Sequence, residues 1–492
     1  MYKLDTSANI CCSPVDQTNC CEPGDKSACC GTGAQDSCAC TTLASVVAPL
    51  ATPKNALPVV VIGAGPVGLA AAARLIERGE PFVVFEAGEA AGTSILKWGH
   101  VHVFSPWRYL IDEAARKLLE AAGWTAPDGE GYPTGREFVE HYLQPLATLP
   151  QLQPHIKTHT RVVSVARQGH DKLKNGARAD MPFVVTIQTP HGEDQLLAKA
   201  IIDASGTYES PNPIGASGVP ALGERALRDR IYYGIPNVLG HDRERFANRS
   251  TLVIGSGHSA FNAIMELIQL SDAEPDTRIT WAVRRADVGQ MFGGLADDAL
   301  PARGALGERA KQAVDSGKVK FVTGFKVQRL GLHGDQIEVQ TENGQVVTYD
   351  EVVAATGFRP DRQVLNELRL ALDESTEAPL ALAPLIDPNV HSCGSVPPHG
   401  AEELKHPEAD VYIVGMKSYG RAPTFLMLTG YEQVRSVVAA IAGDWVAARE
   451  VHLALPETGV CSGGPNSSCC VSESTPQTAF VSFESLLVAP VG

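Results

Sequence analysis

The chain alternates between two kinds of apolar pattern. Short β-branched runs, apolar at nearly every position, occur at 58–62, 81–85, 201–202, 250–254, 278–283, 353–355 and 410–414. Uninterrupted apolar runs of this length suit strands buried on both faces of a parallel sheet. Between them lie stretches with helical spacing, at 69–79, 261–270 and 431–442. A further helix over 137–146 is announced by Thr134 and Glu137, the spacing of a capping box. Strand and helix in alternation predict an α/β body, spanning about 57 to 445. Both ends beyond it have the composition of loops.

Two strand-to-helix connections carry candidate chemistry. The run at 58–62 leads into Gly63-Ala64-Gly65-Pro66-Val67-Gly68 and then directly into a helix. The first glycine of such a turn allows a tight bend, the second lets backbone approach a pyrophosphate, and the third lets helix pack on strand. The helix N-terminus then faces the phosphates. The next strand ends at Glu86, 23 residues after Gly63, where a carboxylate can bind ribose hydroxyls. A second copy reads Gly255-Ser256-Gly257-His258-Ser259-Ala260 after the run at 250–254. Its following strand ends at Arg284-Arg285 instead of an acid. An acid there would repel a ribose 2′-phosphate, whereas arginine can clamp one, so NADPH is expected over NADH. The alternative for the two arginines is a solvated strand end. His258 is either a phosphate contact or a helix-start residue with no special role.

The balance of 41 Lys and Arg against 56 Asp and Glu gives a net charge of −15. That disfavours sequence-independent attraction to nucleic acid or to an anionic membrane. No apolar run reaches the ~18 residues of a membrane span, and the N-terminus lacks the layout of a secretory signal. A cytoplasmic protein with no nucleic-acid or membrane partner is expected. The twelve cysteines are then metal-binding or redox groups more readily than disulfides. Cys11, Cys12, Cys20, Cys21, Cys29, Cys30, Cys38 and Cys40 crowd into one tail, with Cys11, Cys20, Cys29 and Cys38 spaced by nine residues. The other tail holds Cys461 and the adjacent pair Cys469 and Cys470. Adjacent thiols suit soft ions and trivalent arsenic, so Cys11, Cys12, Cys20, Cys21, Cys29, Cys30, Cys38, Cys40, Cys469 and Cys470 are the candidate metal ligands. An inert or oxidation-prone tail is the competing reading.

Two nested dinucleotide folds with different residues closing the second strand resemble the two-dinucleotide-binding flavoproteins. The segments 201–207, 353–360 (with its Ala-Thr-Gly) and 410–415 are similar to the exit, return and last strand of their FAD domain. The resemblance implies an α/β fold of two nested Rossmann-like domains, an FAD domain with an inserted NADPH domain, flanked by Cys-rich flexible tails. It divides the chain into a repeat-bearing tail at 1–56, an FAD-binding part at 57–210, an NADPH-binding domain at 211–350, a second FAD-binding part at 351–445 and a tail at 446–492. FAD would lie against Gly63, Gly65, Pro66, Gly68, Glu86, Trp98, Val162, Thr356, Gly357 and Gly415. NADPH would lie against Gly255, Ser256, Gly257, His258, Ser259, Arg284 and Arg285.

Disulfide reductases of this fold carry a CxxC or CxxxxC pair beside the flavin and a Gly-Asp at the last FAD strand. Here the first helix and the segment 211–350 hold no cysteine, and Gly415 is followed by Met416 and Lys417. The pattern is closer to flavin-containing monooxygenases, whose tryptophan-rich loops resemble Trp98-Gly99 and Ser105-Pro106-Trp107-Arg108, although the stretch 232–241 misses their glycine–histidine spacing. Within that family the thiol-dense tails point to the group associated with arsenic resistance. The implied reaction is oxygen transfer from a peroxyflavin to a soft nucleophile such as trivalent arsenic, with O2 and a small metalloid as partners. A homodimer stays open. The alternatives are an NADPH-dependent reductase of a soft ion (Hg, Se or Te) and a flavoprotein carrying a metal-buffering or sensing module. Three features remain undecided: a small His391, Cys393 and His399 cluster, a possible lid over 290–304, and the apolar end at 478–491.

Overall fold

A computed structural model describes residues 53–288, 291–292, 300–390, 396–422 and 425–453. Strand β1 (Val59–Ile62) is fully buried and leads through the first glycine turn into helix α1 (Pro66–Glu77). Parallel β2 (Phe82–Phe85) and the short β3 (Ile156–Lys157) extend the sheet on one side. The hairpin strands β4 (Arg161–Arg167), β5 (Phe183–Thr189) and β6 (Gly192–Ala198) form a separate antiparallel sheet. β7 (Ala200–Asp203) then returns to pair with β1.

The chain next builds a second parallel sheet. It contains β8 (Ile231–Tyr233), β9 (Ser250–Ile254), helix α2 (His258–Ala273), β10 (Arg278–Ala282), helix α3 (Pro301–Asp315) and β11 (Lys320–Val322). An antiparallel meander of β12 (Val327–His333), β13 (Gln336–Thr341) and β14 (Val346–Tyr349) precedes β15 (Glu351–Ala354), which completes this sheet in the order β11-β10-β9-β15-β8. Finally β16 (Val411–Ile413) rejoins the first sheet, ordered β16-β7-β1-β2-β3, and helix α4 (Met427–Ile441) lies against α1. The second sheet is thus inserted between β7 and β16 of the first, as the nested pattern implied. No helix among the described residues is long and apolar enough to cross a membrane.

Two helices differ from their sequence reading. The helix expected over 431–442 starts earlier, at Met427, and runs through Gly430. A Cβ on Gly430 would lie 2.7 Å from Val67, so this glycine is a close-packing residue between α4 and α1 and not a breaker. The helix over 137–146 contains a π-turn at Val139–Leu143. Pro145 has no N–H to donate toward His141, so the regular ladder fails there. The His141 carbonyl instead accepts the Trp124 indole N–H at 2.9 Å. The capping box forms as expected, with the Thr134 N–H donating to Glu137 Oε2 at 2.7 Å and the Glu137 N–H donating to Thr134 Oγ1 at 3.2 Å.

The two passages between the sheets are stitched together. The Asn212 N–H donates to the Gly357 carbonyl at 2.8 Å, its side-chain amide donates to Thr356 O at 3.1 Å, and Thr356 Oγ1 donates back to Asn212 O at 2.7 Å. Arg359 Nε donates to Asn212 Oδ1 at 2.7 Å. Thr356 and Gly357, expected beside FAD, sit in this clasp.

Candidate functional site

Each glycine turn divides its glycines into packed and open ones. Gly63 has φ +98°, and a Cβ there would stand 2.9 Å from Ala204 O. A Cβ on Gly68 would stand 1.9 Å from Gly63 O. Gly65, by contrast, would meet nothing within 4 Å, and no side chain caps α1. The first-turn N–H groups therefore face open space beside half-buried Gly65 and Pro66, which fits a pyrophosphate. Glu86 closes the far side: Oε2 accepts the Ala64 N–H and Oε1 the Gly88 N–H, both at 2.8 Å. One carboxylate thus ties the phosphate turn to the end of β2 while each oxygen keeps a second lone pair for ribose. Val162 is buried with Val60, Ile62 and Phe85 behind this corner.

The second turn repeats the arrangement. Gly255 has φ +150°, and a Cβ there would lie 2.2 Å from Ala355 O; at Gly257 it would meet nothing within 4 Å. α2 has no side-chain cap, and Ser256 and Gly257 are exposed. His258 stands at the helix start with its ring 5.2 Å from Phe104 and 5.7 Å from Phe261, with Ser259 half-buried beside it. Arg284 and Arg285 are exposed at the end of β10, and Arg284 Nη1 donates to Ala216 O at 3.0 Å. Both cradles fit a dinucleotide by the same test: backbone packs against the first glycine of the turn, and space remains at the second.

At the start of α4 lies a small cleft lined by Ser105, Tyr109, Leu300, Leu426, Met427 and Leu428. Leu426 to Leu428 form the start of α4, and Leu300 precedes α3. Among the described residues no charged side chain lines it. The tryptophans expected near a flavin do other work. Trp107 is buried against Phe138, and the Trp98 ring covers Gly135, where a Cβ would come within 2.8 Å. Of the cleft lining, the sequence singled out Ser105 and, within the possible lid over 290–304, Leu300. Tyr109 and the residues 426–428 share no spacing that could have marked them.

His399 is not a metal ligand in this fold. Its Nδ1 meets Pro397 O at 3.0 Å and its Nε2 meets the Gln433 amide at 2.9 Å, so both ring nitrogens are used inside the protein. Burial lowers its pKa, which keeps the ring neutral. Of the possible lid, Phe292 stacks on Phe261 and meets Trp281 edge-to-face, while Arg303 and Gly304 lie within α3. His391, Cys393, the ten candidate metal-binding cysteines and 478–491 lie outside the described residues. Among the described residues no group of three or more His, Cys, Asp or Glu could hold a metal ion.

One titratable pair joins the loop before Phe104 to α2. His100 Nε2 stands 3.7 Å from Glu266 Oε1. Burial, reinforced by nearby Asp242, pushes Glu266 up to about 7, and burial pushes His100 down. Both members therefore favour neutrality. A carboxyl whose pKa is raised by folding stabilises fully below its unfolded value and loses that contribution as pH rises through the folded value. Glu266→Gln should therefore match the wild type near pH 4.5 and become the more stable by about 2–3 kcal/mol above pH 7. Thermal midpoints across pH 5–8 check this; parallel curves would refute it.

Residues 60–381 match the family described as pyridine nucleotide-disulphide oxidoreductase. No curated protein matches the chain. Among solved structures, the bacillithiol disulfide reductase Bdr (YpdA) from Bacillus cereus superposes with a TM-score of 0.57 at 19% identity, covering 79% of this chain and 99% of that one. The cadaverine monooxygenase DfoA from Erwinia amylovora, solved with FAD, gives 0.54 at 14% identity over 82% and 99%. The ornithine N-hydroxylase KtzI of Kutzneria sp. 744, solved with reduced FAD, NADP+ and L-ornithine, gives 0.50 at 17% identity over 80% and 98%. At such identities the likeness is one of fold.

Proposed function

Because the chain belongs to the pyridine nucleotide-disulphide oxidoreductase family, an FAD- and NADPH-dependent class of oxidoreductase, we propose that it is a monooxygenase of a small, uncharged, soft nucleophile, with trivalent arsenic as the substrate. The observation that carries this reading is the cleft at the start of α4, mostly apolar and without a charged side chain among its described lining residues. Arsenous acid is neutral at physiological pH and carries a reactive lone pair, whereas selenite and tellurite are oxyanions that such a lining would disfavour. The lack of a cysteine in the first helix and in 211–350, where disulfide reductases of this fold carry their redox pair, adds support.

Bound at these two turns, the flavin and nicotinamide would supply the two-electron chemistry by which NADPH and O2 deliver one oxygen atom to the substrate and one to water. The chain's own contribution is placement and exclusion of water. The open N–H groups after Gly65 and Gly257 would take the two pyrophosphates, and Glu86 the adenosine ribose of FAD. Leu300, Leu426 and Leu428 would keep the reaction space dry, and the hydroxyls of Ser105 and Tyr109 would orient a hydroxylated substrate. The thiols of 1–56 and of Cys469 and Cys470 would gather the metalloid from dilute solution.

Arg284 and Arg285 would select NADPH through its 2′-phosphate. Arg284→Glu/Arg285→Glu should raise the KM for NADPH about tenfold and spare NADH, read from steady-state kinetics with both nucleotides. The reaction itself is tested by NADPH oxidation with arsenite, methylarsenite, Hg(II) and selenite, with and without air. Arsenite-dependent turnover only in air, with arsenate formed, is expected. Turnover without O2 would favour a reductase, the reading that the shared fold with bacillithiol disulfide reductase keeps as the second candidate.

A further inference from the structure

The turn that follows the last strand of the first sheet holds a buried ion pair. Lys417 Nζ donates to Asp203 Oδ2 at 2.7 Å and to Ser205 Oγ at 2.9 Å. The side chains of Lys417 and Asp203 are 3% and 0% exposed. Asp203 Oδ1 in turn accepts the Ser205 hydroxyl at 2.6 Å and the Ser205 N–H at 3.1 Å. A lysine at this depth is paired or it does not stay charged.

The location gives the pair its meaning. Asp203 ends β7, so the residues it anchors, Ala204 and Ser205, are those that press on Gly63 in the first glycine turn. Lys417 belongs to the turn Gly415–Tyr419, whose Gly415 packs on Val67 of α1. That turn is gripped from its other side too. Gln433 Oε1 accepts the Gly415 N–H at 2.7 Å, and its amide donates to Ser418 Oγ at 2.9 Å. Ser418 Oγ donates to Gly415 O at 2.7 Å. In this turn only Met416 remains partly exposed. Two loops at one end of the sheet, 204–206 and 415–419, are thus tied to one another through a single ammonium, and both pack on the third, 63–68.

An apolar pair of equal volume folds about as well as most buried ion pairs, so stability alone is a weak reason for this one. We infer that Lys417 is a positioning residue for the flavin: acting through Asp203 and Ser205, it holds the 204–206 and 415–419 turns against the Gly63 turn, so that the crevice is formed before FAD enters. This rests on the FAD reading above.

The test uses the full chain stripped of flavin. Asp203→Leu/Lys417→Met removes both charges together and leaves neither buried alone. It is expected to keep the thermal midpoint of the apoprotein within a few degrees while raising the FAD dissociation constant at least about tenfold and blurring the flavin absorption band. Wild-type affinity and band shape in that variant overturn the inference. Should it fail to fold, hydrogen exchange on the wild-type apoprotein decides: protected amides at Ser205 and Gly415 are expected, and rapid exchange there overturns it. A wild-type protein that takes up no flavin at all would sink the FAD reading instead, so the two failures are distinguishable.

Discussion

Replacing Gly255 by alanine should leave a yellow protein that NADPH can scarcely reduce. The added methyl would lie 2.2 Å from the Ala355 carbonyl, and that contact is with backbone, which has no rotamer to yield. Ala355 is itself fixed, because its N–H donates to Ile254 O at 2.8 Å, and the Gly255 carbonyl accepts the Trp281 indole at 2.7 Å. The turn must therefore swing away from the start of α2, taking its open N–H groups with it. A displacement costing about 2.7 kcal/mol lowers kcat/KM for NADPH about 100-fold. The first turn is untouched, so flavin content should equal that of the wild type. Gly68→Ala makes the mirror case, with a methyl 1.9 Å from Gly63 O, and should purify colourless. Flavin-to-protein ratio and NADPH kinetics measured on both variants check the pair. Equal loss of flavin in the two would contradict independent sites.

Glu408→Ala should destabilise the whole body by about 3–5 kcal/mol. This carboxylate is buried between two guanidiniums: Arg167 Nε donates to Oε1 at 2.8 Å, and Arg178 Nη2 to Oε2 at 2.8 Å. The Arg369 N–H adds a bond at 3.1 Å. Burial alone would raise the Glu408 pKa, but the bonds from Arg178 and Arg167 outweigh it and hold the carboxyl below its ordinary value. Removing it strands two cations, one of which already lies 3.7 Å from the Phe183 ring. Urea unfolding, compared at equal m-value, measures the loss. A change under about 1 kcal/mol would mean that water reaches Arg167 and Arg178 once the carboxylate is gone.

The glycine turns were legible in the sequence because backbone geometry leaves no other residue at Gly63 or Gly255, and because the all-apolar strands beside them permit only a buried parallel sheet. Glu86 was legible for the same reason, being fixed in register by β2. The cleft was not. Tyr109, Leu300 and the residues 426–428 have no common period and meet only through tertiary packing. Gly430 misled because a glycine that ends a helix and one that lets two helices touch look alike without the partner helix. Trp98 and Trp107 were legible only as loop tryptophans like those of flavin-containing monooxygenases; that they pack on Gly135 and Phe138 required the tertiary structure. Lys417 was visible only as the lack of an acid; that it turns inward required Asp203, more than two hundred residues earlier, to be placed beside it.

The Asn212 clasp has a mechanical corollary. The chain crosses between its sheets twice, and both crossings are fastened at that one asparagine. The Arg359 N–H adds a bond to Ser210 O at 2.9 Å and Tyr208 stacks on Phe358, so the two crossings are bound into one strap.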